Sequence, residues 1–284
     1  PATVSRAGII YVSDTELGWT PVVGSWLETR RPGEAAILKP IFGIYVQKVL
    51  DWIRLNVKQT MFNEVVCQVS TLLKLLDGVL IPAVEEGEIL SEGHYERLFV
   101  YCLAWSLGGL LSEADRPAFD AMLREFSDNM PEPQSEGDTL FEYLVNDENT
   151  EWNHWSTKVP SWEYPKEVED PKFAQLIIPT LDSVRFEALM QLNYATRQPT
   201  LFIGGPGTAK TCTVNQFTSK FNPDQVANKL LTFSSLTTPE IFQRSVEEGV
   251  EKRQGRTYGP PGNKKMILFV DDISMPRINE WKDQ

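Results

Sequence analysis

The stretch LFIGGPGTAKTCTVNQF, residues 201–217, joins a short apolar run to a glycine-rich turn and then to a segment of helix-forming character. The apolar run bounded by glycine predicts a buried strand over 200–203. The residues after the turn predict a helix over 210–220. A strand, a glycine turn and a helix in this order predict an α/β fold built around a phosphate-binding loop.

The loop residues match the spacing G-x-x-x-x-G-K-[ST] at every position except one. Backbone N–H groups and the helix N-terminus suit phosphate oxygens. Lys210 would reach the β- and γ-phosphates, and the Thr211 hydroxyl would ligate Mg²⁺. The predicted nucleotide-binding residues are Gly204, Gly205, Pro206, Gly207, Thr208, Ala209, Lys210, Thr211 and Cys212.

The exception is Ala209, which stands where the pattern has its second glycine. Its methyl group matters only if the position needs a positive φ, where alanine costs about 1 kcal/mol or more. The form GxPGxAK[ST] also occurs in minichromosome-maintenance helicases and MoxR-type ATPases, which this loop resembles. That resemblance implies that alanine is tolerated, so we expect a site able to bind ATP.

A second motif, MILFVDD at residues 266–272, follows about sixty positions after the loop. An apolar strand that ends in two acids has the Walker B arrangement, which brings a carboxylate to the metal. Asp271 would hold Mg²⁺ through water, and Asp272 would face the attacking water. Taken alone, the same letters describe a core strand with a polar end, and the pairing with the loop favours nucleotide binding.

Asp272 departs from most AAA+ proteins, which have glutamate at this position. Its carboxylate is one methylene shorter and falls about 1 Å short of the ideal position, a displacement that costs roughly 10²-fold in rate. We therefore expect a slow or regulatory site.

Composition limits the other classes of function. The chain has 284 residues, a net charge of −12, three cysteines and two histidines. The length allows about two domains, and the negative charge disfavours nucleic acid as a partner. The spacing of the cysteines and the scarcity of histidine predict neither a disulfide framework nor a His-rich metal site. The start, PATVSRAG, and the end, NEWKDQ, suggest a piece of a longer polypeptide.

The first part of the chain has mostly helical periodicity. After a short strand over 8–12 we predict a loop that leads into a short helix over 19–27. Helices are predicted over 37–57, 61–80, 95–111 and 117–126, of which 95–111 is apolar nearly all round. Residues 127–171 are acidic and rich in proline, and LFEYLV with TEWNHW suggests a hairpin. Beyond them we predict a helix over 186–194, strands over 230–234 and 266–270, and a helix over 239–254, an alternation typical of a parallel sheet.

Taken together, these residues resemble a dynein heavy chain. The segments that carry the resemblance are PATVSRAGIIYVS, RLFVYCLAWSLGG with RPAFDAMLREF, IPTLDSVRFEALM, GGPGTAKT and FVDDISMPRINEWKDQ. The resemblance implies the last strand and helical lid of the second AAA+ module over 1–126. It also implies a linker with a hairpin over 127–171 and a partial P-loop large subdomain of the third module over 172–284. The fold class is thus an all-α lid followed by an α/β core with a parallel sheet.

The resemblance also implies a minus-end-directed microtubule motor with a six-module AAA+ ring. Its third module binds ATP or ADP with Mg²⁺ and gates the main ATPase. Implied partners are the neighbouring modules of the same chain, a microtubule, and dynein intermediate and light chains, with neither nucleic acid nor a membrane. PATVSR and the MP…NEW pattern point to an axonemal, outer-arm type in a cilium or flagellum, with the cytoplasm as the alternative.

Two further assignments come only from the resemblance. Ile178, Pro179 and Thr180 would lie beside the adenine, or would simply lead into a helix. Arg6 would be an arginine finger for the first module's ATP, or a surface or inter-module salt-bridge residue. Two other functions stay open: another AAA+ machine of MoxR or helicase type, and a structural module that holds nucleotide without hydrolysing it. We expect the fragment alone to be incomplete as an ATPase.

Overall fold

The computed structural model describes residues 18–58, 61, 63–146, 150–164 and 177–280. The chain divides into two compact units, Pro1–Thr200 and Leu201–Gln284. Arg6 and the strand predicted over 8–12 lie outside the described residues, and both stay predictions. Within the described ranges, no helix combines the length and the apolar character that crossing a bilayer would require.

The first unit is helical. Its helices are α1 (Thr20–Glu28), α2 (Pro32–Asn56), α3 (Val65–Val79), α4 (Ile81–Glu85), α5 (Glu92–Ser106), α6 (Arg116–Arg124) and α7 (Leu181–Ala195). The predicted helices are confirmed, although several begin a few residues earlier or later than the apolar periodicity alone suggested. Proline in the first turn of α1, α2 and α6 suits a helix start, where a missing N–H has no partner to lose.

Helix α5 is the centre of the helical unit. Every residue from Leu98 to Ala104 is buried, as the apolar sequence of this helix predicted. Phe99 packs edge-on against Phe42 of α2, with ring centroids 4.8 Å apart. A helix that is apolar on all sides can be stable only when other elements surround it, and α2, α3 and α5 share one core with α6.

The hairpin predicted after residue 127 is confirmed. Strand β1 (Tyr143–Val145) pairs antiparallel with β2 (Trp152–His154), between a short 3₁₀ helix at Leu140–Glu142 and another at Trp155–Lys158. Leu140, Phe141 and Trp155 are buried in the core of the helical unit. This part of the predicted linker is therefore an integral part of the helical unit and more than a connection.

Helix α7 also packs within the helical unit, although the prediction assigned it to the next module. A Cβ placed on Gly78 of α3 would lie 3.1 Å from Leu192 Cβ, so the glycine allows α7 to approach closely. Arg185 is 6% exposed. It donates to the Phe141 carbonyl at 3.3 Å and to Glu142 at 3.2 Å. The module boundaries at 126 and 171 stay predictions.

The second unit has the α/β character that was predicted. Its elements are α8 (Lys210–Ser219), β3 (Val226–Thr232), α9 (Pro239–Glu247), β4 (Glu251–Lys252), β5 (Tyr258–Gly259), a 3₁₀ turn (Pro261–Asn263) and β6 (Lys265–Asp271). Strands β3 and β6 pair in parallel, in a register that runs from Val226 opposite Lys265 to Thr232 opposite Asp271. This pairing confirms the parallel sheet.

One predicted strand and two predicted boundaries of this unit differ from the structure. No hydrogen-bonded ladder among the described residues includes 200–203, so the strand predicted there is wrong; an extended segment needs a paired neighbour to become a strand. Helix α9 ends at Glu247, not at 254, because the chain turns at Gly249 and enters the β4–β5 hairpin. Strand β3 begins at Val226, four residues before the predicted start, because the polar Asn228 and Lys229 interrupt its apolar sequence and hide the first part of the strand.

Candidate nucleotide-binding site

The glycine loop leads directly into α8, as the sequence predicted. Ala209, the N-cap residue of α8, has φ 58° and ψ 17°, which is the left-handed region. Gly207 also has a positive φ, of 77°. The alanine at position 209 is therefore expected to carry a steric cost. Its backbone adopts a left-handed conformation that glycine adopts without that cost. The exposed fraction of the loop is high throughout residues 203–209.

Two loop residues hold the turn from inside. The Thr208 hydroxyl donates to the Gly205 carbonyl at 3.0 Å. A Cβ on Gly204 would lie 3.2 Å from that hydroxyl oxygen, which is closer than most side chains tolerate. On α8, the Thr213 hydroxyl donates to the Ala209 carbonyl at 3.0 Å. Such a bond from a helical threonine to the carbonyl four residues earlier links the first turn of α8 to the end of the loop.

The Lys210 ammonium lies within the loop. Its Nζ donates to the carbonyls of Gly204 at 3.0 Å and Gly205 at 2.6 Å, and lies 3.2 Å from the Thr208 hydroxyl. The positive charge is thus held among loop oxygens, beside the backbone that would surround a phosphate. The motif uses this lysine to reach phosphate oxygens, and that role of Lys210 stays a prediction.

The loop and the Walker B strand meet at one hydrogen bond. The Thr211 hydroxyl, on the first turn of α8, donates to Asp271 Oδ2 at 2.8 Å across sixty residues of sequence. Asp271 is the last residue of β6. A hydroxyl and a carboxylate side by side supply the hard oxygen ligands that Mg²⁺ prefers. The geometry brings together the two residues that the sequence predicted at the metal.

Asp272 leaves the strand in an unusual conformation. Its φ is 54°, again in the left-handed region. Its backbone N–H donates to Asp271 Oδ1 at 3.0 Å, and its carbonyl accepts the Met275 N–H at 2.9 Å. A tight turn therefore begins immediately after the strand, and Asp272 lies exposed beside Asp271.

The remaining predicted residues lie in different places. Cys212 is exposed on the first turn of α8. Ile178 and Thr180 are exposed at the start of α7, in the first unit. The Thr180 hydroxyl accepts the Ser183 N–H at 3.2 Å, and Ser183 completes the capping box by accepting the Thr180 N–H at 2.9 Å. This capping agrees with the reading of 178–180 as a helix entry, while the base contact stays a prediction.

The donor set fits magnesium better than a transition metal. Over the described residues, no group of three or more His, Cys, Asp or Glu side chains is placed to hold a metal ion. Mg²⁺ does not need such a group, because it is commonly held by one or two protein oxygens together with phosphate oxygens and water. Thr211 and Asp271 offer such a pair.

Comparisons with known proteins match both parts of the chain. Residues 38–157 match the family model of the dynein heavy chain AAA lid domain, and residues 164–284 match the P-loop containing dynein motor region. The chain is 57% identical over its full length to the dynein gamma chain of the flagellar outer arm of Chlamydomonas reinhardtii. It is 38% identical to the dynein axonemal heavy chain 8 of Homo sapiens and 38% identical to the dynein axonemal heavy chain 5 of Mus musculus, again over its full length.

The match is complete for this chain but covers a small part of the relatives. The chain spans 6% of the length of each of these three proteins. The lid model runs from within α2 to the end of the hairpin and does not include α1 or α7. The motor-region model contains α7, the phosphate-binding loop and the strand that ends at Asp271. With the helical lid, the parallel sheet and the loop–strand contact all in place, the chain belongs to the dynein heavy chain family and represents a AAA lid followed by a P-loop motor region.

Proposed function

We propose that this chain supplies the nucleotide site of the third AAA+ module of an axonemal dynein motor, and that the site regulates the main ATPase of the ring. The observation that carries the proposal is the 2.8 Å hydrogen bond between Thr211 and Asp271, which joins the Walker A and Walker B motifs. In P-loop NTPases the corresponding pair holds the metal that neutralises phosphate charge.

The residues divide the work of binding among them. The loop amides over 204–209 and the start of α8 offer N–H donors to phosphate oxygens. Lys210, which now donates to loop carbonyls, would reach the β- and γ-phosphate oxygens, and Thr211 and Asp271 would hold Mg²⁺. The bound Mg²⁺ supplies charge neutralisation between phosphates. ATP and ADP both fit this set, because the contacts to the β-phosphate would be common to them and only the γ-phosphate contact of Lys210 would be specific to ATP.

Partners and location follow from the family. We infer that the parent chain forms a ring of AAA+ modules, is an ATPase that moves on microtubules towards their minus end, and works with intermediate and light chains in a cilium or flagellum. The relatives named axonemal or flagellar support that location. Neither nucleic acid nor a membrane is a proposed partner. The dynein matches over the full chain weigh against a MoxR-type or helicase-type machine.

A second candidate is a module that binds nucleotide to brace the ring without hydrolysing it. Asp272 is the observation in its favour, because the shorter side chain places a carboxylate less favourably than glutamate would. The two functions differ in whether the site turns over. We favour slow turnover, since both acids are present and Asp271 is already oriented by two hydrogen bonds.

Single-turnover hydrolysis in the intact parent chain tests the proposal, with the first module inactivated so that the third module dominates the signal. We expect slow hydrolysis that is lost with Lys210→Ala and with Asp272→Asn. At saturating Mg²⁺ the longer acid in Asp272→Glu should raise the rate. Complete absence of hydrolysis in the unmodified site would favour the bracing function, and a fall to background with Asp272→Glu would contradict a slow site limited by carboxylate reach.

The regulatory role has its own readout. In the otherwise unmodified parent chain, Lys210→Ala should change microtubule-stimulated turnover of the first module and the gliding velocity together, because the site acts on the main ATPase and not in its place. Unchanged velocity and turnover would contradict regulation. Arg6→Ala tests the finger assignment separately: we expect reduced turnover of the preceding module without loss of nucleotide binding at residues 204–212.

A further inference from the structure

The carboxylate of Asp271 is held at both of its oxygens. Oδ2 accepts the Thr211 hydroxyl at 2.8 Å, and Oδ1 accepts the backbone N–H of Asp272 at 3.0 Å. Two donors on opposite oxygens fix the rotation of a carboxylate, and hydrogen bonds to a charged acceptor are stronger than neutral ones. The remaining lone pairs of Asp271 therefore point in a direction that these two donors set.

The second donor exists because of the backbone conformation of Asp272. Strand β6 ends at Asp271, and the next residue turns into the left-handed region with φ 54°. The Met275 N–H closes the turn on the Asp272 carbonyl at 2.9 Å. In an extended strand the same N–H would point sideways towards a neighbouring strand. The left-handed turn directs it to the preceding side chain instead.

Residue type decides how readily that turn forms. Among non-glycine residues, aspartate and asparagine are several-fold enriched at positive φ, because their short polar side chains form local hydrogen bonds. Glutamate and alanine lack this advantage. The short acid that weakens water activation is thus the acid that suits the turn.

We propose that Asp272 is a positioning residue for Asp271, and that it acts through its backbone N–H independently of its own carboxylate. The proposal rests on the nucleotide site described above. It assigns to Asp272 two separable contributions: a carboxylate that faces the reaction, and a left-handed turn that orients the metal-binding acid. Replacing aspartate by glutamate improves the first contribution and impairs the second.

Matched pairs of substitutions separate the two contributions in the intact parent chain. The Walker A lysines of the other modules are replaced, so that mant-ATP fluorescence reports only this site. Mg²⁺ is then titrated, and the concentration that gives half of the maximal signal is measured for each variant. Wild type and Asp272→Glu carry the same charge but differ in their tolerance of positive φ. Asp272→Gly and Asp272→Ala are both neutral and differ in the same respect.

Within each pair, the residue that adopts positive φ should need less Mg²⁺. We expect the half-saturating Mg²⁺ concentration to rise about three- to tenfold from wild type to Asp272→Glu, and by a similar factor from Asp272→Gly to Asp272→Ala. The size of the effect follows from the several-fold preference of these residues for positive φ. A role for the carboxylate alone predicts that glutamate matches or exceeds aspartate and that glycine equals alanine. That result would overturn the proposal.

Amide exchange tests the same contact without any nucleotide. In the intact chain, the Asp272 amide should be protected, and Asp271→Ala should lower its protection factor about tenfold, as expected for loss of one hydrogen bond to a charged group. Unchanged protection would overturn the proposal. If instead wild type bound no mant-ATP and matched the Lys210→Ala control, the proposed function would fail while the amide exchange still decided the positioning role.

Discussion

Asp120 of α6 accepts the backbone N–H of Leu140 at 2.7 Å, and this bond joins the segment before the hairpin to the helical body. Asp120 is 7% exposed and Leu140 is 1% exposed, so water cannot replace the bond. Arg124 donates from Nε to the other carboxylate oxygen at 2.6 Å. One buried acid therefore serves a backbone donor and a charged donor together.

Loss of that acceptor should destabilise the helical unit. We expect Asp120→Ala to lower the free energy of unfolding by about 1–3 kcal/mol, because the buried Leu140 N–H is left without a partner. Asp120→Asn keeps an oxygen for that N–H and should cost less. Seven of the eight tryptophans lie in residues 1–200, so tryptophan fluorescence during urea denaturation follows this unit. Equal losses for the two variants would contradict the argument.

A pair of glycines gives a contrast between packing and helix propensity. A Cβ on Gly108, just after α5, would lie 2.6 Å from the Ala104 carbonyl oxygen and 3.0 Å from the Phe119 ring. Gly108→Ala should therefore cost about 1–3 kcal/mol, as overpacking does. Gly24 lies inside α1 with nothing within 4 Å of its added Cβ.

Gly24→Ala is the matched control for that substitution. Since Gly24 lies on an exposed helix face, alanine should stabilise α1 by up to about 1 kcal/mol through propensity alone. Thermal melting of both variants, followed by the same tryptophan signal, measures the difference. If both substitutions shifted the melting temperature in the same direction, local packing at Gly108 would not be the cause.

The sequence predicts best the features that depend on pattern. The apolar residues of 95–111 predicted the buried helix α5. The two motifs predicted that Thr211 and Asp271 lie together, as their hydrogen bond shows. Sequence-based prediction fails where tertiary contacts decide the structure. Residues 200–203 have a strand-like sequence but no paired ladder among the described residues. Helix α7 was assigned to the next module, yet it packs in the helical unit through Gly78 and Arg185.

Backbone conformation explains the other limit of prediction. The residue types at positions 209 and 272 can be compared with a motif. The positive φ values of Ala209 and Asp272, however, are set by the turns around them. The sequence raised the question of Ala209 and directed attention to the side chain of Asp272. Only the structure shows that both residues lie in the left-handed region, on either side of the Thr211–Asp271 contact.

The left-handed conformation of Ala209 predicts that glycine is better there. We expect Ala209→Gly to stabilise the second unit by about 0.5–1 kcal/mol, because the steric cost at φ 58° exceeds the entropy that glycine adds to the unfolded chain. Ala227 in β3 is the control: Ala227→Gly should destabilise by a similar amount. Amide exchange of peptides from 204–232 measures both effects, and destabilisation by Ala209→Gly would refute the conformational argument.

The three cysteines should differ sharply in reactivity. Cys67 and Cys212 are exposed, whereas Cys102 is fully buried in α5, and burial raises the pKa of its thiol well above the usual range. Ellman's reagent should modify two thiols quickly in the native chain and the third only after denaturation, since the thiolate is the reactive form. Because the unfolded thiol ionises first, stability should fall as pH rises above the ordinary thiol pKa. Cys102→Ser should remove the slow thiol, and fast modification of all three native thiols would contradict the burial of α5.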